Sequence, residues 1–140
     1  MGVNFEEFAR LREFMQQEPR RIAMKSWAAR GKEAIERYFG DDAPPEIAEC
    51  GTAGCIAGLY AMMIGKLEFG PNGDWQEKVY GSPREIAACG LGLTEDQAIR
   101  LFAPEYWDEE NHAAYWSAKT TGERLAAVLQ YFDKVVESCK

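Results

Sequence analysis

Cys50-Gly51-Thr52-Ala53-Gly54-Cys55-Ile56-Ala57-Gly58-Leu59-Tyr60-Ala61-Met62-Met63-Ile64-Gly65 contains no charged side chain. A helix that is apolar on every side is buried on every side. The stretch therefore predicts a central helix from about Ala53 to Ile64, with Thr52 as its N-cap and Gly65 as its stop. Gly54 and Gly58 lie four apart, on one face, so that face admits the close approach of another helix. Glycine costs roughly 1 kcal/mol per residue in a helix interior, so two of them in one short helix imply a packing reason. The run is too short to span a bilayer, which takes about 20 residues.

On the N-terminal side, Asn4 with Glu7 three residues on gives a capping-box-like start. Phe5, Phe8, Leu11, Phe14 and Met15 follow at helical spacing until Pro19. Residues 20–31 show no clear period. Lys32 to Phe39 reads as a short helix stopped by Gly40, and Asp41-Asp42-Ala43-Pro44-Pro45 as a loop. On the C-terminal side, Asn72-Gly73 is a turn signal between two short semi-apolar runs, which fits a hairpin. Ser82-Pro83-Arg84-Glu85 supplies a cap, a first-turn proline and a Glu at N3, and Gly90 reads as the stop of that helix. Thr94-Glu95-Asp96-Gln97 repeats the capping box. A short helix is expected from His112 to Ala118. The last helix opens at Thr120 or Thr121 and presents Leu125, Val128, Leu129, Phe132, Val135 and Val136 at helical spacing.

These elements predict a mainly α architecture. It is a compact single-domain bundle of five to seven helices, spanning residues 1–140, around the buried helix at about 53–64, with one small β-hairpin at about 66–80. Hydrophobic residues make up 46% of the chain, enough for one core. The net charge of −7 argues against neutralising nucleic-acid phosphates and against docking on anionic membranes. It suits a free protein or one with a basic partner. The start, MGVNFEEFAR, lacks a basic n-region followed by an apolar h-region, and the cysteines at 50, 55, 89 and 139 form no C-x-x-C pair. Both point to a cytoplasmic protein with reduced thiols.

Cys50, Gly51, Thr52, Cys55 and Gly58 carry a resemblance. The sequence CGTAGCIAG, with Met24 and Trp27 before it and Leu91 to Phe102, Trp107 and Tyr115 after it, resembles a group of small bacterial and phage proteins built on a CGT-x-x-CIAG core. The chain departs from that pattern in the length between Trp27 and Cys50, and in Leu59 where the group has Trp. The resemblance implies no activity. The same stretch is also similar to the DCG-x-x-C start of C39-type bacteriocin-processing peptidases, but Ala43 and Pro44 stand where their Gln belongs, and their strands are missing.

A thiol just outside a helix N-terminus is biased toward thiolate by unpaired N–H groups. Cys50 occupies such a position, and His112, the lone histidine, follows the acidic residues Asp108 to Glu110. A thiol-dependent, hydrolase-like enzyme with Cys50 as nucleophile and His112 as base is therefore one functional reading. The plainer reading makes Cys50 and Cys55 small packing residues and His112 a surface side chain. Cys50, Cys55, Cys89 and His112 add up to a Cys3His set, but structural zinc sites bring ligands as close pairs, so neither a metal nor another cofactor is expected. Residues 82–102 outline a helix-turn-helix, but Glu95 and Asp96 would lead its second helix into the phosphates.

Trp75, Tyr80, Tyr106, Trp107, Tyr115 and Trp116 crowd the second half of the chain. Aromatic rings with polar tips are favoured at interfaces. Tyr106, Trp107, Asp108, Glu109 and Glu110 follow Pro104 between two helices, where loops often carry function. The leading functional expectation is a non-catalytic protein–protein interaction domain, of an inhibitor or adaptor kind. In it those five residues form an acidic, aromatic contact surface for a protein partner of basic charge; the plainer alternative is that Trp107 tucks under the last helix as core and the carboxylates only solubilise.

Overall fold

The structure is a computed structural model, which describes residues 2–44, 52–76 and 81–140. Seven α-helices and two two-stranded antiparallel sheets make up these residues, so the architecture is mainly α, as the sequence predicts. In chain order the elements are α1 (Phe5–Gln17), β1 (Ala28–Arg30), α2 (Lys32–Phe39), β2 (Thr52–Gly54) and α3 (Ile56–Met63). Then come β3 (Glu68–Phe69), β4 (Trp75–Gln76), α4 (Pro83–Leu91), α5 (Glu95–Phe102), α6 (Glu109–Ser117) and α7 (Thr121–Ser138). Short 3-10 turns occupy Pro19–Arg21, Gly40–Asp42 and Pro104–Tyr106. None of the described helices is long and apolar enough to cross a membrane.

Local chemistry sets most helix starts. The side chains of Asn4, Ser82, Thr94 and Thr120 each accept a hydrogen bond from the N–H three residues on. At Ser82, Thr94 and Thr120 the N3 side chain also reaches back to the cap, which completes the capping box and satisfies two donors that a helix start leaves open. A turn at Gly70–Asp74 joins β3 to β4, with Glu68 opposite Gln76 and Phe69 opposite Trp75. The far end of the expected hairpin, 77–80, lies outside the described residues.

The central helix is real but starts later than its sequence implies. Thr52 is not a cap. Thr52–Gly54 is a strand paired with Ala28–Arg30, in the register Ala28 to Gly54, Ala29 to Ala53 and Arg30 to Thr52. Cys55, in extended conformation, caps α3, and its N–H donates to the Trp27 carbonyl at 3.2 Å. Pairing with β1 therefore removes from the helix the residues with the poorest reason to be helical, Gly54 among them. Every residue from Ile56 to Ala61 is buried. α3 packs most extensively on α4 and next on α1 and β2, while α7 packs chiefly on α6, α1 and the Pro19–Arg21 turn.

The glycine face of the central segment meets a strand, not the helix that the sequence suggests. A Cβ built on Gly58 would lie 1.9 Å from the Trp27 carbonyl oxygen, and one on Gly54 would lie 2.7 Å from it. Gly90 acts in the same way toward a side chain. It does not end α4, as expected from sequence, but lies beneath Tyr60, whose hydroxyl would be 2.2 Å from an added Cβ. The Tyr60 hydroxyl then donates to Glu7 Oε1 at 2.9 Å and ties α3 to α1. Gly92, in the left-handed region at φ 71°, is the true C-cap of α4.

Candidate interaction surface

α6 begins three residues earlier than the sequence suggests, and this moves the acidic run out of the loop. Asp108 is its N-cap. The carboxylate accepts from the Asn111 N–H at 2.8 Å, and Lys134 Nζ lies 3.2 Å from its other oxygen. The Asn111 N–H, aided by the Lys134 ammonium, holds the Asp108 carboxyl below the usual carboxylate range. Glu109 and Glu110 form the first turn, where negative charge suits the helix dipole.

The five expected contact residues divide. Tyr106 is 61% exposed, and Glu109 and Glu110 are exposed. Trp107 is a core residue instead of a surface anchor. It is 5% exposed, donates from Nε1 to the Leu101 carbonyl at 3.1 Å, and stacks on Tyr131 with ring centroids 4.5 Å apart. Its ring fills the corner between the 3-10 turn and α7, and the one polar atom of the indole is satisfied there. Asp108 is committed to its cap and to Lys134.

Trp116, one of the six aromatics noted in the sequence but not among the five expected contact residues, is 44% exposed. Tyr115 and Trp116 are neighbours on α6 and must diverge by about 100°. Tyr115 turns inward and is buried, and Trp116 turns out, edge-on to it at 4.9 Å. Helical spacing groups Glu109, His112, Ala113 and Trp116 on one stripe, and all four are exposed. The opposite stripe carries Asn111 and Tyr115, both buried. Asn111 donates from Nδ2 to Gln130 Oε1 at 3.1 Å and accepts from Lys134 Nζ at 2.8 Å. α6 thus departs from an ordinary surface helix at two positions, with an amide beside Tyr115 on the inside and an indole among polar residues on the outside.

Charge on the surface is equally uneven. Asp108 pairs with Lys134, Asp133 pairs with Arg12 at 2.9 Å, and Glu123 accepts from the N–H groups of Lys119 and Thr120. Glu105, Glu109 and Glu110 have no cation or hydrogen-bond donor among the described residues. Exposed Tyr106 and Trp116 therefore share the 105–116 segment with three carboxylates that form no ion pair among the described residues, although Lys25 lines the same cavity as Glu105.

The thiol reading finds different surroundings. Cys50 and Gly51 lie outside the described residues. Thr52 pairs with β1 as part of β2, Gly58 lets α3 approach the Trp27–Ala28 backbone, and Cys55 is buried at the N-cap of α3. Backbone N–H groups at Ala57 and Gly58 favour a Cys55 thiolate, but burial outweighs them and pushes the thiol up to about 11. Cys55 is protonated at neutral pH and packs as an apolar residue. His112 lies on the exposed stripe of α6 with its ring 6.0 Å from that of Trp116. Among the described residues no group of three or more His, Cys, Asp and Glu side chains could hold a metal ion. In the folded protein at pH 7.5, iodoacetamide should label exposed Cys89 and spare Cys55 until denaturant is added. Mass spectrometry of the digested, labelled protein checks this, and labelling of Cys55 at a rate close to that of Cys89 would contradict the burial argument. Compared with protein-family models, with curated proteins and with solved structures, the chain shows no match in any of the three.

Proposed function

We propose that this protein is a non-catalytic interaction domain, acting as an adaptor or inhibitor, and that its contact surface is the outer stripe of α6 together with Tyr106. The exposed indole of α6 carries the reading. An indole left 44% exposed, on the stripe opposite a fully buried asparagine, gains by being covered. Burying a Trp on association contributes more than any other side chain here could, and such rings are enriched among residues that dominate binding energy. The case for Tyr106 is the same in kind, and it adds a hydroxyl for the rim of an interface.

Photo-crosslinking in the native host tests the proposal. With p-benzoylphenylalanine at position 116 or 106, a discrete adduct is expected. The same probe at Tyr38, an aromatic on α2 with an exposure close to that of Trp116, serves as the control. Adducts at 38 with none at 116 or 106 would place the contact surface elsewhere. Trp116→Ala should leave the thermal midpoint nearly unchanged, because the ring is surface-borne, and should weaken partner binding by at least about tenfold.

A further inference from the structure

We infer that the partner presents a basic amphipathic helix to α6, with Lys or Arg side chains set against Glu105, Glu109 and Glu110 and one cation or apolar side chain on the Trp116 ring. This inference rests on the contact-surface reading above and specifies who occupies the surface. Three features of the surface select the occupant.

The first is charge. The three carboxylates have no cation or donor among the described residues, although neighbouring acids are engaged. An opposing acidic or neutral partner would leave them desolvated without compensation, which is costly, whereas Lys and Arg convert them into cross-interface pairs that also steer the encounter. The same charge opposes a nucleic acid. It opposes face-to-face pairing with a second copy too, since that would set three carboxylates against three.

The second is shape. α6 is a convex single helix whose exposed stripe runs Glu109, His112, Ala113, Trp116. Ala113, midway along it, is small, so another helix can approach to packing distance with Trp116 as the ridge that fills its groove. No strand edge contributes to this stripe among the described residues, so there is no ladder for an extended peptide to join.

The third is spacing. Glu109 and Trp116 are seven residues apart, about 10.5 Å along the helix. A partner helix with basic residues two turns apart matches that span in one rotamer-level fit. Trp is the aromatic ring most favourable to a cation on its face, and a carboxylate two turns away supplies the second contact.

The probe is a synthetic helix of about 15 residues, with leucine and alanine on one face flanked by lysines, and a control in which every lysine is glutamate. Amide chemical shifts of the labelled protein are followed on titration. The lysine helix should perturb Tyr106, Glu109, Ala113 and Trp116 and leave α2 unmoved. Affinity should fall by about tenfold or more between about 0.05 M and about 0.5 M salt, because exposed charges are screened over a shrinking distance. Glu109→Lys/Glu110→Lys should slow association by a similar factor, with only the small loss of thermal stability that two cations in a helix first turn bring. Equal binding of the glutamate helix, perturbations on another face, or indifference to salt and charge reversal would overturn the inference. So would sedimentation showing a homodimer that Trp116→Ala dissociates. Crosslinks at position 116 combined with failure of the lysine helix remove the basic-helix inference and leave the contact surface standing. Loss of the crosslinks removes the contact surface itself.

Discussion

Gly58→Ala should lower the unfolding free energy by roughly 3 kcal/mol, at the upper end of ordinary overpacking costs. The added Cβ would sit 1.9 Å from the Trp27 carbonyl oxygen, 3.0 Å from its carbonyl carbon and 3.4 Å from Ala28 Cβ. Two of those three atoms are backbone, so no rotamer change relieves the contact. Either α3 withdraws from β1, or the Trp27–Ala28 backbone shifts. The first opens the core around Ile56 and Leu59. The second breaks the 3.2 Å bond from the Cys55 N–H to Trp27, which holds the helix start. Both responses lose more than the roughly 1 kcal/mol that alanine gains in helix propensity. Gly122→Ala is the matched control. Gly122 lies in the first turn of α7 with nothing within 4 Å of an added Cβ. That change should be neutral or stabilise by up to about 1 kcal/mol. Urea denaturation monitored by far-UV circular dichroism compares the two. Similar midpoints for the two variants would mean that β1 can move away at little cost, and that the glycine face is not a constraint.

What is legible in the sequence divides along a physical line. Capping chemistry is local, because the donor and acceptor lie three residues apart, and so Asn4, Ser82, Thr94 and Thr120 can be read directly. The bounds of α2 and the Asn72-Gly73 turn are local in the same sense. The β1–β2 pair is not. Ala28-Ala29-Arg30 and Thr52-Ala53-Gly54 have little β propensity, and their pairing depends on residues far apart in sequence. Thr52 consequently reads as a helix cap when it is a strand end. The aromatic surface fails for a related reason. Trp107 and Trp116 are alike in composition and flanking charge, and only the position of α7 decides which is enclosed. Tyr106, Glu109 and Glu110 remain as expected on the surface, while Trp116 takes the place expected for Trp107.

The burial of Asp42 is likewise invisible in its local sequence. In sequence it is one of two adjacent aspartates in a turn, yet Asp42 is 2% exposed while Asp41 is exposed. Its Oδ2 accepts from the N–H groups of Met24 at 2.6 Å and Lys25 at 2.8 Å. Its Oδ1 accepts from the Tyr115 hydroxyl at 2.8 Å and faces Arg124 Nη2 at 3.4 Å. Arg124, itself 7% exposed, donates from Nη1 to the carbonyls of Ile22 at 2.9 Å and Asp42 at 2.7 Å. Its guanidinium lies over the Tyr115 ring at 5.3 Å. Burial, and then the Asp42 charge, drive the Tyr115 hydroxyl well above its ordinary range, so it remains a donor at any working pH. One carboxylate thus joins the 22–25 segment, the Gly40–Asp42 turn, α6 and α7, and fixes the inner face of α6 whose outer face is the proposed contact surface.

Removing one member strands the others. Asp42→Ala would leave a buried guanidinium without its counter-charge and the Lys25 N–H and Tyr115 hydroxyl without their acceptor, the Met24 N–H keeping only the Tyr115 oxygen, and Arg124→Met would leave a buried carboxylate short of its cation. Breaking a buried pair in this way costs about 3–5 kcal/mol, roughly a fifth or more of the stability of a typical domain. The pair can nevertheless be replaceable as a unit, because both ions lose solvation on folding. Asp42→Ala/Arg124→Met should therefore cost clearly less than the sum of the single changes, with a coupling of about 1–3 kcal/mol. A double-mutant cycle in urea measures it. Strict additivity would show that the two side chains stabilise the fold through separate contacts with the 22–25 backbone. A loss below about 1 kcal/mol for either single change would show that water reaches the cluster and that the junction beneath α6 is held by its apolar neighbours alone.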